Sequence, residues 1–370
     1  MRYVDAFRNP DAARVLRERI ARRAEELGDS TVRIMEVCGT HTMAIARNGI
    51  KSLLPAGIDL ISGPGCPVCV TDSGYIDASI ELARRGSIVV TFGDMVKTPG
   101  SESSLAACRA EGGRVEICYS PSAAVSLAKK NPQLEVVFLA IGFETTIAPV
   151  VSLVGTAISQ GIENLSLLTA FKVVPPALEV LAEDPEIGVN AFLCPAHVSA
   201  IIGARAYEPV ATKYGLPCVI AGFEPLDILL GIDGILKQIT DGEGRVENQY
   251  SRIVRHEGNL KAQAVIAKYL EPADVPWRGL GTLPGSGLKL RSAYGKYDAE
   301  LRFELTVQPG TEPVGCLCGD VIKGKSRPEE CQLFGRSCTP DNPIGPCMVS
   351  QEGSCSASYK YQRGIPERHH

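Results

Sequence analysis

Apolar residues recur at Ala13, Val15, Leu16, Ile20 and Ala24, near the helical period, in a stretch otherwise rich in Arg and Glu. This pattern predicts an amphipathic helix over residues 10–27, ended by Gly28. The period then changes. Val32-Arg33-Ile34-Met35-Glu36-Val37 alternates as a strand does and runs into Cys38-Gly39-Thr40-His41-Thr42, after which residues 43–47 read as helix. A second strand, 58–62, ends in Gly63-Pro64-Gly65-Cys66-Pro67-Val68-Cys69 and precedes a helix over 72–85. Strands at 87–92 and 115–119 follow, then a helix at 122–130.

The apolar run 134–141 starts the pattern again, leading into Gly142-Phe143-Glu144-Thr145-Thr146 and a helix over 148–160. Further strands are predicted near 165–169, 189–193 and 218–221, with an apolar helix at 226–240. Short strands alternating with helices indicate an α/β fold with parallel sheets covered on both faces. The Cys38 turn and the Gly142 turn both follow a strand, carry an early glycine and close on threonine, which suggests two similar halves. The expected organisation is an α/β domain over 29–133 and a second over 134–240, facing a cleft. A third, cysteine-rich and mostly irregular or helical domain would join 1–28 to 241–370. Within that third part, residues 277–287 are glycine-rich and read as irregular. Ligands of such sheets bind beyond the carboxyl ends of the strands, where the motifs named so far lie.

Composition narrows the function. The 370 residues carry a net charge of −4, so the clustered Lys and Arg of a nucleic-acid footprint are missing. No apolar run is long enough to cross a bilayer. Met1-Arg2-Tyr3-Val4-Asp5 offers no apolar core for a signal peptide. A cytoplasmic protein is expected, in a compartment where thiols stay reduced, and that decides how thirteen cysteines are read. Cys108, Cys118, Cys194 and Cys218 stand singly in or beside apolar runs and read as small buried hydrophobes.

The rest are clustered. Cys318, Cys331, Cys338 and Cys355 follow the spacing C-x12-C-x6-C-x16-C, with Cys316 an alternative first member at x14 and Cys347 left over. Four thiolates suit a structural zinc or an iron–sulfur cluster, and wide uneven spacing wrapped by loops favours the cluster. Cys66 and Cys69 form a C-x2-C pair, either a dithiol couple or half of a metal site. Cys38, at a strand's carboxyl end and a helix start, is expected to have a lowered pKa, as a reactive thiolate or a metal ligand. His41 would orient it or assist it by acid–base chemistry. Glu144 either caps the helix that follows it or reaches the thiols. No phosphate-binding loop supports a nucleotide-dependent enzyme.

These stretches together resemble the HypD family of hydrogenase maturation factors. The resemblance is carried by Cys38-Gly39-Thr40-His41-Thr42, Gly63-Pro64-Gly65-Cys66-Pro67-Val68-Cys69 and Gly142-Phe143-Glu144-Thr145-Thr146. The tail adds Cys331-Gln332-Leu333-Phe334-Gly335, Cys338-Thr339-Pro340 and Cys347-Met348-Val349-Ser350. It runs from about residue 30 to 361. It implies a redox-active scaffold for the Fe(CN)2CO unit of [NiFe] hydrogenase, rather than a conventional turnover enzyme. Cys38 would hold iron together with a cysteine of the small chaperone HypC, with Cys66, Cys69 and His41 beside it. HypE would bring the cyanide precursor. A [4Fe-4S] cluster on Cys318, Cys331, Cys338 and Cys355 would pass electrons to the Cys66–Cys69 pair. The residues themselves also admit a cluster-dependent thiol–disulfide oxidoreductase built on that pair.

Overall fold

Eleven strands fall within residues 8–362, the part of the chain that this computed structural model describes, and they form two sheets. The reading placed on Met1-Arg2-Tyr3-Val4-Asp5 lies outside the described residues. The first sheet contains β1 (Val32–Glu36), β2 (Ile58–Ser62), β7 (Ala191–Pro195), β8 (Cys218–Ala221) and β9 (Val246–Asn248), in the order β2-β1-β7-β8-β9. All its pairings are parallel.

The second sheet contains β3 (Ile88–Thr91), β4 (Val115–Ile117), β5 (Val136–Gly142), β6 (Leu165–Lys172), β10 (Leu270–Trp277) and β11 (Gly281–Leu290). Its order is β10-β11-β6-β5-β3-β4. The four strands from β6 to β4 are parallel, and the β10–β11 hairpin adds antiparallel to β6.

Burial explains the sequence pattern. Every residue of β5 is buried, the condition of a central parallel strand covered on both faces. Alternate side chains divide between two cores: Val137, Leu139 and Ile141 on one side, Val136, Phe138 and Ala140 on the other. In β1, Met35 joins Val37 in the core of Val137, while Val32 and Ile34 enter a third core. The first of these cores touches both sheets and also takes in Cys66, Cys69, Cys318 and Cys347. No helix among the described residues is long and apolar enough to cross a membrane.

The mixed α/β class and the parallel sheets are as expected, but the strands are not shared out as expected. Segment 29–133 supplies β1 and β2 to one sheet and β3 and β4 to the other, and segment 134–240 is split likewise. The boundary at 133 therefore does not separate the sheets. Apolar periodicity marks a buried strand without naming its neighbour, and here β1 pairs with the distant β7. The helix Pro10–Glu26 packs on the helix Pro225–Thr240, whose Asp233 it meets through Arg19 and Arg23. It covers the first sheet instead of joining the C-terminal part. Residues 277–287, expected to be irregular, lie largely in β11, where positive φ at Gly281 and Gly285 allows the strand its turns.

Candidate functional site

Two helix starts are tied back to back by glycine. Cys38 precedes the helix Gly39–Arg47, and Cys66 precedes the short helix Pro67–Val70 with proline at its first position. The Gly39 N–H donates to the carbonyl of Gly65 at 2.9 Å. A Cβ on Gly65 would lie 2.3 Å from the Cys38 nitrogen and 2.5 Å from its Cα, so only glycine lets the two turns approach this closely. The expected helix at 43–47 thus begins earlier, at the glycine after Cys38.

Burial governs the protonation of Cys38. It pushes the thiol up to about 12, against the pull of the His41 N–H, and the carboxylates of Glu352 and Glu36 add to the rise. The lowered pKa expected at a helix start is overturned, because desolvation outweighs one turn of helix dipole. Glu36 sits behind the turn, accepting from the Cys38 N–H at 3.0 Å and from the Thr42 hydroxyl at 2.5 Å. Glu352 arrives from the C-terminal part, accepting from the Thr40 hydroxyl at 2.6 Å.

His41 faces elsewhere than expected. Its Nε2 lies 2.9 Å from the Gly222 carbonyl and 3.1 Å from that of Ala221, at the end of β8, and Nδ1 has no partner. Two carbonyl acceptors require the Nε2–H tautomer. Burial holds its pKa down at about 4, so the ring is neutral. The ring leans on Phe223, centroids 4.9 Å apart, and Phe223 meets His197 at 4.2 Å. His197 was missed in the sequence. Its signal was position, two residues past the carboxyl end of β7, and burial lowers its pKa against the opposing pull of Glu352.

The remaining thiols form a continuous chain. The Cys69 N–H points to the sulfur of Cys66 at 3.4 Å, and Cys69 Sγ is 3.9 Å from the Pro346 carbonyl. Burial raises the Cys69 thiol, which also touches those of Cys347 and Cys66. Cys347 in turn contacts Cys318 and Cys355, with the Cys318 and Cys347 sulfurs 2.7 Å apart. Cys347, left over by spacing, is therefore the link between the upstream pair and the tail. All six tail cysteines line one hollow with Leu317, Val321, Phe334 and Met348. All thirteen cysteines are free thiols. Among the described residues, no three His, Cys, Asp or Glu side chains are arranged to hold a single metal ion. Cys108, Cys118, Cys194 and Cys218 are buried, as expected.

Glu144 opens the helix Glu144–Ser159 at the carboxyl end of β5. Its Oε1 accepts from the Val174 N–H at 2.9 Å, in the next turn of the same sheet, and Oε2 has no partner. Burial pushes its pKa to about 7.

Comparison with known proteins agrees on one family. The family model described as HypD, "Hydrogenase formation hypA family", matches residues 11–362. The hydrogenase maturation factor HypD of Azotobacter vinelandii is 46% identical over 98% of this chain and 97% of its own length. That of Cupriavidus necator is 41% identical over 98% of both chains. A putative hydrogenase expression/formation protein of Methanocaldococcus jannaschii is 42% identical over 94% of this chain and 96% of its own length.

Proposed function

The chain belongs to the HypD family of hydrogenase maturation factors, and from that premise we propose that it is the cytoplasmic scaffold on which the Fe(CN)2CO unit of [NiFe] hydrogenase is assembled. The observation that carries this reading is the joined pair of turns that sets Cys38 beside Cys66, continued by sulfur contacts from Cys69 through Cys347 to Cys318.

Iron is the cargo of this site. Ferrous iron carrying cyanide and CO prefers soft ligands, and the Cys38 thiol, neutral on its own, would bind an arriving ferrous ion as thiolate, releasing its proton to water. HypC would supply a further thiolate, and HypE would deliver the cyanide precursor. His41, held neutral by burial and pinned to two carbonyls, shapes the wall without adding charge. The Glu36 carboxyl fixes the backbone from which Cys38 projects.

The tail fits a [4Fe-4S] cluster by its donors: six thiols around one hollow walled by apolar side chains. Because Cys318 is engaged with Cys347, the four residues that would hold the cluster are Cys316, Cys331, Cys338 and Cys355, in place of the set opened by Cys318. When bound, the cluster would supply single electrons. The chain's own part is to keep two dithiols, Cys66 with Cys69 and Cys318 with Cys347, buried and in contact. Closing either to a disulfide releases two electrons and two protons.

Cys38→Ala tests the assembly role against a thiol–disulfide oxidoreductase. The scaffold loses both iron retention and the complex with HypC, while dithiol turnover by Cys66 and Cys69 continues. Full iron retention by the variant would sink the scaffold reading.

A further inference from the structure

Behind the Cys38 turn lies a cavity of about 330 Å³, the size of a small-ligand pocket. Its lining comes from β2 and residues of 45–56, and from the C-terminal stretches 321–330 and 354–362. Glu36 and Thr42, buried and bonded to one another, form its inner end. Among the described residues no cysteine lines it, so it is separate from the iron site and from the cluster hollow.

The charges around this cavity are only partly matched. Asp59 is held by Arg33 and Arg327, each at 3.3 Å, and Lys325 is held by Asp184 and Glu186. The Lys51 ammonium, by contrast, makes no hydrogen bond or ion pair among the described residues. Protein packed around it lowers its pKa, although part of the side chain is exposed, and it feels Glu36, Asp59 and Glu329 without touching them. Two carboxylates are left over in the same lining. Glu329 accepts from the Ser358 hydroxyl and Glu330 from the Arg327 N–H at 3.0 Å, but neither has a cationic partner among the described residues.

An ammonium crowded by protein and left unpaired is costly. Carboxylates within its field but out of contact leave room for a molecule that carries both charges. A simple anion would meet the carboxylates, and a simple cation would meet Lys51. Among the described residues, no three acidic, histidine or cysteine side chains are arranged to hold a metal ion. No aromatic side chain in the described lining offers a face on which a nucleobase could stack. The rest of the wall includes Ile45, Leu54, Leu60 and Val321, a surface for hydrocarbon.

We propose that this cavity binds a small aliphatic zwitterion, a free α-amino acid or a dipeptide, with its carboxylate on Lys51, its ammonium on Glu329 and its hydrocarbon body against Ile45 and Leu60. The inference goes beyond the assembly reading and rests on no part of it.

Isothermal titration calorimetry of the anaerobically purified protein with L-leucine and with L-leucyl-L-leucine tests the site. Saturable binding of at least one is expected, and the tighter of the two tells a free amino acid from a peptide. Isocaproate, which lacks the ammonium, and isopentylamine, which lacks the carboxylate, should each bind about tenfold more weakly or worse. Lys51→Met should weaken the zwitterion by about the same factor. Glu329→Gln, which keeps an acceptor for the Ser358 hydroxyl, should do likewise, and it decides the matter if Lys51→Met does not fold. The site is overturned if neither zwitterion saturates, if isocaproate or isopentylamine binds as tightly, or if either folded variant binds unchanged. Iron retention by Cys38 is read on the same samples. A protein that keeps iron without binding a zwitterion loses this site alone.

Discussion

The Gly39 N–H and the Gly65 carbonyl meet at 2.9 Å, and that contact ties the Cys38 and Cys66 turns together. Gly65→Ala would drive a methyl group into the Cys38 backbone, which cannot swing aside as a side chain could. The expected cost is about 3 kcal/mol of stability, at the upper end for overpacking. Loss of iron from the Cys38 site should accompany it. Urea unfolding with parallel iron analysis checks both.

Cys316 and Cys318 should separate cleanly. Cys316→Ala is expected to remove most cluster iron and acid-labile sulfide. Cys318→Ala should keep both and lose one buried dithiol, visible as two fewer titratable thiols under mild oxidation and re-reduction, since Cys347 is left without its partner. Equal iron loss in the two variants contradicts the assignment of Cys318 to Cys347.

The charge on Glu144 should show in the pH dependence of stability. Its folded pKa of about 7 lies above an ordinary 4.5, so the folded state binds the proton more tightly than the unfolded state does. This contribution is complete below about pH 4.5 and is lost as pH rises through about 7. Its full span is roughly 3 kcal/mol. Glu144→Gln should flatten the decline of the urea midpoint between pH 5 and pH 8, while Glu36, also raised to about 7 by burial, keeps a share of the slope.

Arg278 and Glu312 should respond unequally. The Arg278 guanidinium is buried, with Nε donating to the Thr71 carbonyl at 3.0 Å and Nη1 pairing with Glu312 at 2.5 Å, whereas the Glu312 side chain is 42% exposed. Removing the buried charge with Arg278→Met costs the hydrogen bonds, about 2 kcal/mol. Glu312→Ala strands that charge in the interior and is expected to cost more, about 3–4 kcal/mol. The reverse order in thermal denaturation would show that the guanidinium reaches water.

Much of the local structure was legible because parallel strands must be apolar on both faces. The run 134–141 anticipated β5 to within two residues at its start and one at its end. The turns at Cys38, Cys66 and Gly142 were placed by their glycines. Pairing was not legible, because nothing in the composition of β1 points to β7 rather than β3. The hairpin of β10 and β11 was hidden by Pro272, Pro276, Pro284 and four glycines, residues that usually interrupt strands. Spacing could not choose between Cys316 and Cys318, which stand two residues apart and line one hollow. The expectation for Cys38 erred because burial cannot be read from the residue itself.

The strand order of the first sheet has a consequence for synthesis. β1 occupies an interior position beside β7, so its hydrogen-bonding edge stays open until more than 150 further residues have been made. The nascent chain must therefore carry an incomplete sheet, with its first thiol unshielded, until β7 has been made. Chaperone dependence and early oxidation at Cys38 are the expected costs of giving the opening strand an interior place.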